Sequence, residues 1–412
     1  MIKIVRIPKK VKGFFQPLRP CFSKPQWRHV QAIVLAMAIV WGKRNIQRLW
    51  ESLGPDFPHR TKVNDFVVCT LWDPEAALRE TALSQLKAMK PGKREEIFLI
   101  LDDTGISKTG KEMEGAKGYW DHATGEYRWG HTVLFAFILF RDKLIPWSLK
   151  IYLGKDYCRD EKIVFKKLTE MAAEIIRDFQ APCGLKVTVL FDSYYLAQKI
   201  VWACVAKGFF FISTLKTNRN LWFKGRKQKV GKLGKKLLKK KTAKIVLKNG
   251  KGQSVTYRAK KIEAQIPKAG GKVVIVFSRR GKEKGFLAIV TNDLGLSEKA
   301  VLKRYAKRWW IEVFFKEGKQ LLGLGDYKTR DLEGIKRHLH LVSLAFGLLT
   351  HLAYANEKGK MIKQNQRLTP FSVRKLQDDL RKLVWDDMIE HLQPRKQKMI
   401  SVRKLNQLLM AA

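Results

Sequence analysis

Ile97-Phe98-Leu99-Ile100-Leu101 is followed directly by Asp102-Asp103-Thr104-Gly105. Five consecutive apolar residues bounded by a turn signal predict a strand buried on both faces, with carboxylates emerging where the strand runs out. A second stretch repeats the pattern: Val187-Thr188-Val189-Leu190-Phe191 runs into Asp192-Ser193. Apolar residues at helical spacing then extend from Tyr194 to Lys207 and stop at Gly208, which predicts a strand, an acid and a helix in sequence. An aspartate at such a place is also a common turn former or helix N-cap, and for Asp192, just before a helix, that reading competes directly. Buried strands alternating with helical segments predict an α/β protein.

Nearer the C-terminus, Tyr305-Ala-Lys-Arg308-Trp-Trp-Ile-Glu312-Val-Phe-Phe-Lys-Glu-Gly-Lys319 has the spacing Y-x2-R-x3-E-x6-K. On one continuous helix, predicted here from Glu298 to Leu322 with Ser297 as N-cap and Gly323 closing it, these four residues point within roughly 60° of each other. A buried stripe would be apolar. This one joins a carboxylate that can hold a divalent cation to a guanidinium and an ammonium suited to phosphate oxygens. The competing reading is an exposed face laced with intrahelical ion pairs.

Asp102, Asp192 and Glu312, in that order with long gaps, together with the Tyr/Arg/Glu/Lys stripe, resemble the DDE transposases of bacterial insertion sequences, in the cut-and-paste branch that carries the same signature. Leu101-Asp-Asp-Thr-Gly105, Phe191-Asp-Ser-Tyr-Tyr195, Thr291-Asn-Asp293 and Leu321-Leu-Gly-Leu-Gly-Asp326 are similar to that family's usual surroundings. The resemblance implies a ribonuclease H-like core in which the strands bearing Asp102 and Asp192 lie side by side. It implies Asp102, Asp192 and Glu312 as catalytic residues and ligands of two Mg²⁺ ions, with Mn²⁺ able to substitute, and Tyr305, Arg308 and Lys319 as DNA contacts. The implied partners are double-stranded DNA, both element ends and target, and a second copy of the chain in the active complex. Adjacent Asp102 and Asp103 fall on opposite faces of an extended strand; the family pattern selects Asp102, while a bulge would exchange them. The runners-up are a structure-specific nuclease of the same fold and a transposase-derived DNA-binding protein without chemistry.

Composition agrees. In 412 residues, 82 Lys and Arg against 37 Asp and Glu leave a formal charge of +45, which points to a polyanionic partner without choosing DNA over RNA. Five scattered cysteines without a C-x-x-C pair argue against a zinc site or a disulfide framework, so a reducing cytoplasm is expected, at the nucleoid when DNA is bound. The apolar run from Ala32 to Trp41 is too short to span a bilayer, and no membrane partner is expected. His338 and His340 diverge by about 200° on a helix and make no joint metal site.

Five regions follow. Residues 1–93 read as a helical N-terminal domain with Trp27, Trp41, Trp50 and Trp72 in its core and a helix from His59-Arg60-Thr61 that could recognise DNA ends. Residues 94–215 form the first part of the ribonuclease H-like mixed sheet flanked by helices, including a helix from Glu161 to Phe179. Residues 216–291 form an inserted β-rich, basic subdomain with the lysine runs Lys224–Lys229 and Lys235–Lys241 and with Trp222 in its core. Residues 292–356 complete the core with the Glu312 helix, and residues 357–412 form a C-terminal helical segment and a basic tail from Arg395 to Arg403.

Overall fold

The structure is a computed structural model and describes residues 3–121, 124–182, 184–248, 253–267, 271–281, 283–357 and 372–392. The N-terminal region is helical: α1 (Lys9–Phe15), a 3₁₀ segment (Gln16–Cys21), α2 (Lys24–Ile39), α3 (Ile46–Glu51), α4 (Arg60–Val68) and α5 (Pro74–Ala88). Local signals fix these starts. Ser23 and Gln26 close a capping box before Pro25 opens α2, and the Asp73 carboxylate accepts from the Glu75 and Ala76 amides before α5.

Then come β1 (Glu96–Ser107), β2 (Lys117–Asp121), β3 (Glu126–Phe140), β4 (Lys143–Tyr152), α6 (Lys155–Asp160), α7 (Leu168–Asp178), β5 (Lys186–Phe191), α8 (Gln198–Ala206) and β6 (Phe210–Thr214). The order β4-β3-β1-β5-β6, antiparallel across the first three and parallel from β1 to β6, is the ribonuclease H-like arrangement. The basic region supplies β7 (Asn220–Phe223), β8 (Arg226–Lys229), α9 (Val230–Leu238), β9 (Ala243–Lys248), β10 (Ser254–Gln265) and β11 (Lys272–Arg280), and β12 (Leu287–Thr291) pairs with β6, so one sheet runs on through this region. Helices α10 (Glu298–Ala306), α11 (Trp309–Leu321), α12 (Leu332–Glu357) and α13 (Val373–Leu392) follow.

Alternation along β1 divides the interior in two. Phe98 and Ile100 belong to a layer with Phe135, Phe137 and Phe314, whereas Ile97, Leu99 and Leu101 pack with Ile175, Ile176 and Phe179 on the other side. The Phe314 ring of α11 lies 4.5 Å from Phe137 and 5.4 Å from Phe135, which seats that helix on the sheet. Among the described residues one helical stretch, Leu332–Ala355, is long and apolar enough to cross a membrane, but 83% of its most apolar window is buried inside the protein. It is the central core helix.

Several sequence expectations change. The helix expected from Glu161 starts only at Leu168, where Lys167 caps it and its amide donates to Glu170. The helix expected from Tyr194 starts at Gln198, because the Asp192 carboxylate instead holds the Tyr194 and Tyr195 amides in a turn. Trp41 and Trp222, expected in cores, are 58% and 45% exposed. The tail from Arg395 to Arg403 lies outside the described residues.

Candidate active site

Three elements converge. In the β1–β5 pairing Ile100 stands opposite Leu190, so continuing the register by two residues puts Asp192 level with Asp102. Adjacent strands are about 4.8 Å apart, so 90 residues of chain separate two carboxylates that the sheet brings together. Asp102 lies on the Phe98–Ile100 side, which α11 covers. Asp103 lies on the other side and accepts a 2.5 Å hydrogen bond from the buried Tyr195 hydroxyl. No bulge exchanges the two: the β1–β3 register runs unbroken through Asp102 opposite Phe135 and Asp103 opposite Leu134.

The helix expected from Glu298 to Leu322 is two helices. Between α10 and α11 the Arg308 amide donates to Tyr305, Trp310 to Lys307 and Ile311 to Arg308, an i→i−3 pattern that tightens the turn at the signature itself. The two residues between the helices are Lys307 and Arg308, and Arg308 faces the acids. Its Nη1 donates to Asp102 Oδ2 at 2.6 Å and its Nη2 donates to Glu312 Oε1. The side chains of Arg308 and Asp102 are each only 17% exposed, so this double ion pair is largely withdrawn from water. The Asp102, Glu312 and Arg308 positions expected from the sequence are therefore in contact.

Tyr305 lies in the last turn of α10, where burial raises its hydroxyl above the ordinary value; that hydroxyl donates to Thr214 Oγ1 at 3.4 Å on β6. Lys319 departs from the group. Seven residues and roughly 10 Å beyond Glu312 on the same helix face, it is exposed and stands near Asp121 and Arg128 at the end of the β2–β3 hairpin.

Burial pushes the Asp102 carboxyl up to about 7; the neighbouring Asp103 and Asp192 charges act in the same direction and together outweigh the Arg308 ion pair. Burial opposes the Arg308 charge, yet Tyr305, Asp102 and Glu312 raise it further. The site thus confines several acids around one guanidinium. Sequence reasoning passed over Tyr195 and Thr214, which fix Asp103 and Tyr305. Only Tyr195 had a signal, its place three residues after Asp192.

The fold is that of the ribonuclease H-like α/β proteins. Residues 93–348 match the family described as Transposase DDE domain, more than half of the chain, and the protein belongs to that family of transposases. Among solved structures it is similar to a cryo-EM structure of the piggyBac transposase synaptic complex with hairpin DNA, at 10% identity and a TM-score of 0.49, covering 97% of this chain and 81% of that one. No curated protein matches the chain significantly.

Proposed function

We propose that the chain is a cut-and-paste transposase of the insertion-sequence type, which cleaves DNA at its element's ends and joins the freed 3′ ends to target DNA. The observation that carries the proposal is the level placement of Asp102 and Asp192 on neighbouring parallel strands, with Glu312 drawn to Asp102 through Arg308.

The donor set fits hard divalent cations. It consists of carboxylate oxygens only; burial first, and then the charges of Asp103 and Asp192, hold Asp102 near 7, and bound cations would relieve the repulsion among the acids. Among the described residues no three acidic side chains already form a ligating group, and Arg308 stands between two of them. Asp102, Asp192 and Glu312 would hold two Mg²⁺ ions, or Mn²⁺ in their place, once Glu312 and Asp102 exchange the guanidinium for metal. Such a pair supplies activation of the attacking hydroxyl and stabilisation of the leaving oxygen. Arg308, released from the acids, is then within reach of the phosphate and offers it a bidentate fork, with Tyr305 beside it. Lys319 would grip the strand one helical step further along. Helix α4, with Arg60 and Lys62 exposed, is the proposed reader of the element's ends, and two chains are needed to bring two ends to one target.

The test uses the full chain, Mg²⁺ and duplexes carrying the inverted repeats that flank its gene. The wild type is expected to nick these ends and transfer them to a plasmid, whereas Asp102→Asn, Asp192→Asn and Glu312→Gln should each lower the rate at least about 10³-fold while duplex binding persists. Nicking without joining would leave a structure-specific nuclease. Binding without nicking would leave a DNA-binding protein that has lost the chemistry.

A further inference from the structure

A second site lies beside the first. A cavity of about 420 Å³ opens between α10, the start of β1 and the end of β3. Its floor is apolar, formed by Phe98, Leu139 and Trp310, and its walls carry Arg141, Lys299, Lys303, Arg304 and Lys307 against the two carboxylates Glu96 and Asp142. Those charges do not cancel locally. Glu96 is already engaged, since it accepts two bonds from Arg304 Nε at 2.8 and 2.9 Å and a third from Thr188. Arg141 is held by Glu95 and by the Met89 carbonyl. Asp142 lies 3.8 Å from the Lys143 ammonium.

Three cations remain. Lys299, Lys303 and Lys307 recur every fourth residue along α10 and into the turn after it, so they form one row. Among the described residues none of their ammonium groups makes an ion pair or a hydrogen bond. Lys307 is the least comfortable: half-buried, with its ammonium 4.2 Å from the centre of the Phe98 ring, with Glu96 and Asp142 acting on it at a distance and with Lys303 and Arg304 as like-charged neighbours. A cation partly held away from water, over an aromatic floor and in a cavity whose acids are bonded elsewhere, is arranged for an anion that arrives from outside.

We propose that this cavity is a phosphate-binding site that takes a backbone phosphodiester of the bound DNA strand, with Lys307 at its centre and Lys299 and Lys303 at its rim. Its position suits that ligand. Phe98 and Asp102 share one face of β1 four residues apart, roughly 13 Å, and Lys307 directly precedes Arg308 in the chain. At about 3.4 Å per nucleotide along one strand, the gripped phosphate lies about four nucleotides from the one at the acids. The apolar floor leaves room for the attached sugar. The proposal rests on the transposase reading for its ligand and adds to it a separate contact.

The test measures duplex binding by the full chain in EDTA, so that chemistry at the acids plays no part, across roughly 50 to 200 mM salt. Lys307→Met is expected to weaken binding and to lower the slope of log affinity against log salt by roughly 0.9. Combining it with Lys299→Met and Lys303→Met should remove two to three times as much. Thermal unfolding of each variant confirms that it is folded. A wild type that fails to bind any duplex sinks the transposase reading and this site with it. A wild type that binds, with an unchanged slope in the variants, sinks this site alone. If inorganic phosphate protects the wild type but not Lys307→Met against heat while the slope is unchanged, the cavity takes a free anion and the assignment to the DNA backbone is wrong.

Discussion

Lys307 and Arg308 are neighbours in the chain and opposite in circumstance. Arg308 is held by two carboxylates, Asp102 and Glu312, whereas Lys307 lies over an aromatic ring among two further cations and two acids, Glu96 and Asp142, neither of which bonds it. The tight turn between α10 and α11 points them to different places: one toward the strand-end acids, the other toward the cavity over Phe98. A cation that is already paired stabilises the protein as it stands and must be displaced before the acids can ligate metal. An unpaired one costs the free protein stability and regains it only when an anion binds.

The largest expected effect breaks the paired side. Arg308→Ala leaves two largely buried carboxylates facing each other and should destabilise the metal-free protein by about 3 kcal/mol. Mg²⁺ or Mn²⁺ should restore more of the lost melting temperature in this variant than it adds to the wild type, because no guanidinium has to be displaced. A melting temperature unchanged by the substitution would mean that the ion pair contributes nothing.

A smaller effect sharpens the same side. Asp102 binds its proton more tightly folded, near 7, than unfolded, near 3.8, so between those values the native state holds the extra proton. Stability of the metal-free protein should therefore rise as pH falls from 7 toward 4, by at most about 1.4 kcal/mol per unit. Denaturant midpoints measured across that range should show the rise in the wild type and a flatter profile in Asp102→Asn. Parallel profiles would contradict it.

The smallest effect has the opposite sign. Burial lowers Lys307 to about 8 from 10.5, so the folded protein carries an ammonium there at some expense below pH 8, and stability gained between 8 and 10.5 reflects its loss of charge. Lys307→Met should raise the stability of the DNA-free protein at pH 7 by about 1 kcal/mol, discounted for its partial exposure. Destabilisation would mean that the lysine has a partner in the free protein and that its circumstances resemble those of Arg308.

Much of this was legible in the chain. The Ile97 run is apolar throughout, and the Val187 run is so but for Thr188, because β1 and β5 are covered on both faces, and each ends in an acid. Ser297 and Gly323 gave helix limits correctly, since caps act through bonds within a few residues; Gly323 adopts φ 71° where α11 stops. The break at Arg308 was hidden, because Tyr305 to Lys319 has unbroken helical periodicity and no Gly or Pro until Gly318. Its position is set by where α10 and α11 each meet the sheet. Trp222 looked like a core residue by type, but on the short strand β7 it is Leu221 and Phe223, on the opposite face, that turn inward.

What the sequence determined by itself was the inventory and its spacing: acids at strand ends, a four-residue polar signature and a large positive charge, all consequences of residue type and local period. The tertiary structure alone decided which charges meet. Pairing across 206 residues, as between Asp102 and Arg308, or the engagement of Glu96 by Arg304 rather than by Lys307, depends on strand register and on one tightened turn, and neither is encoded in the spacing of neighbours along the chain.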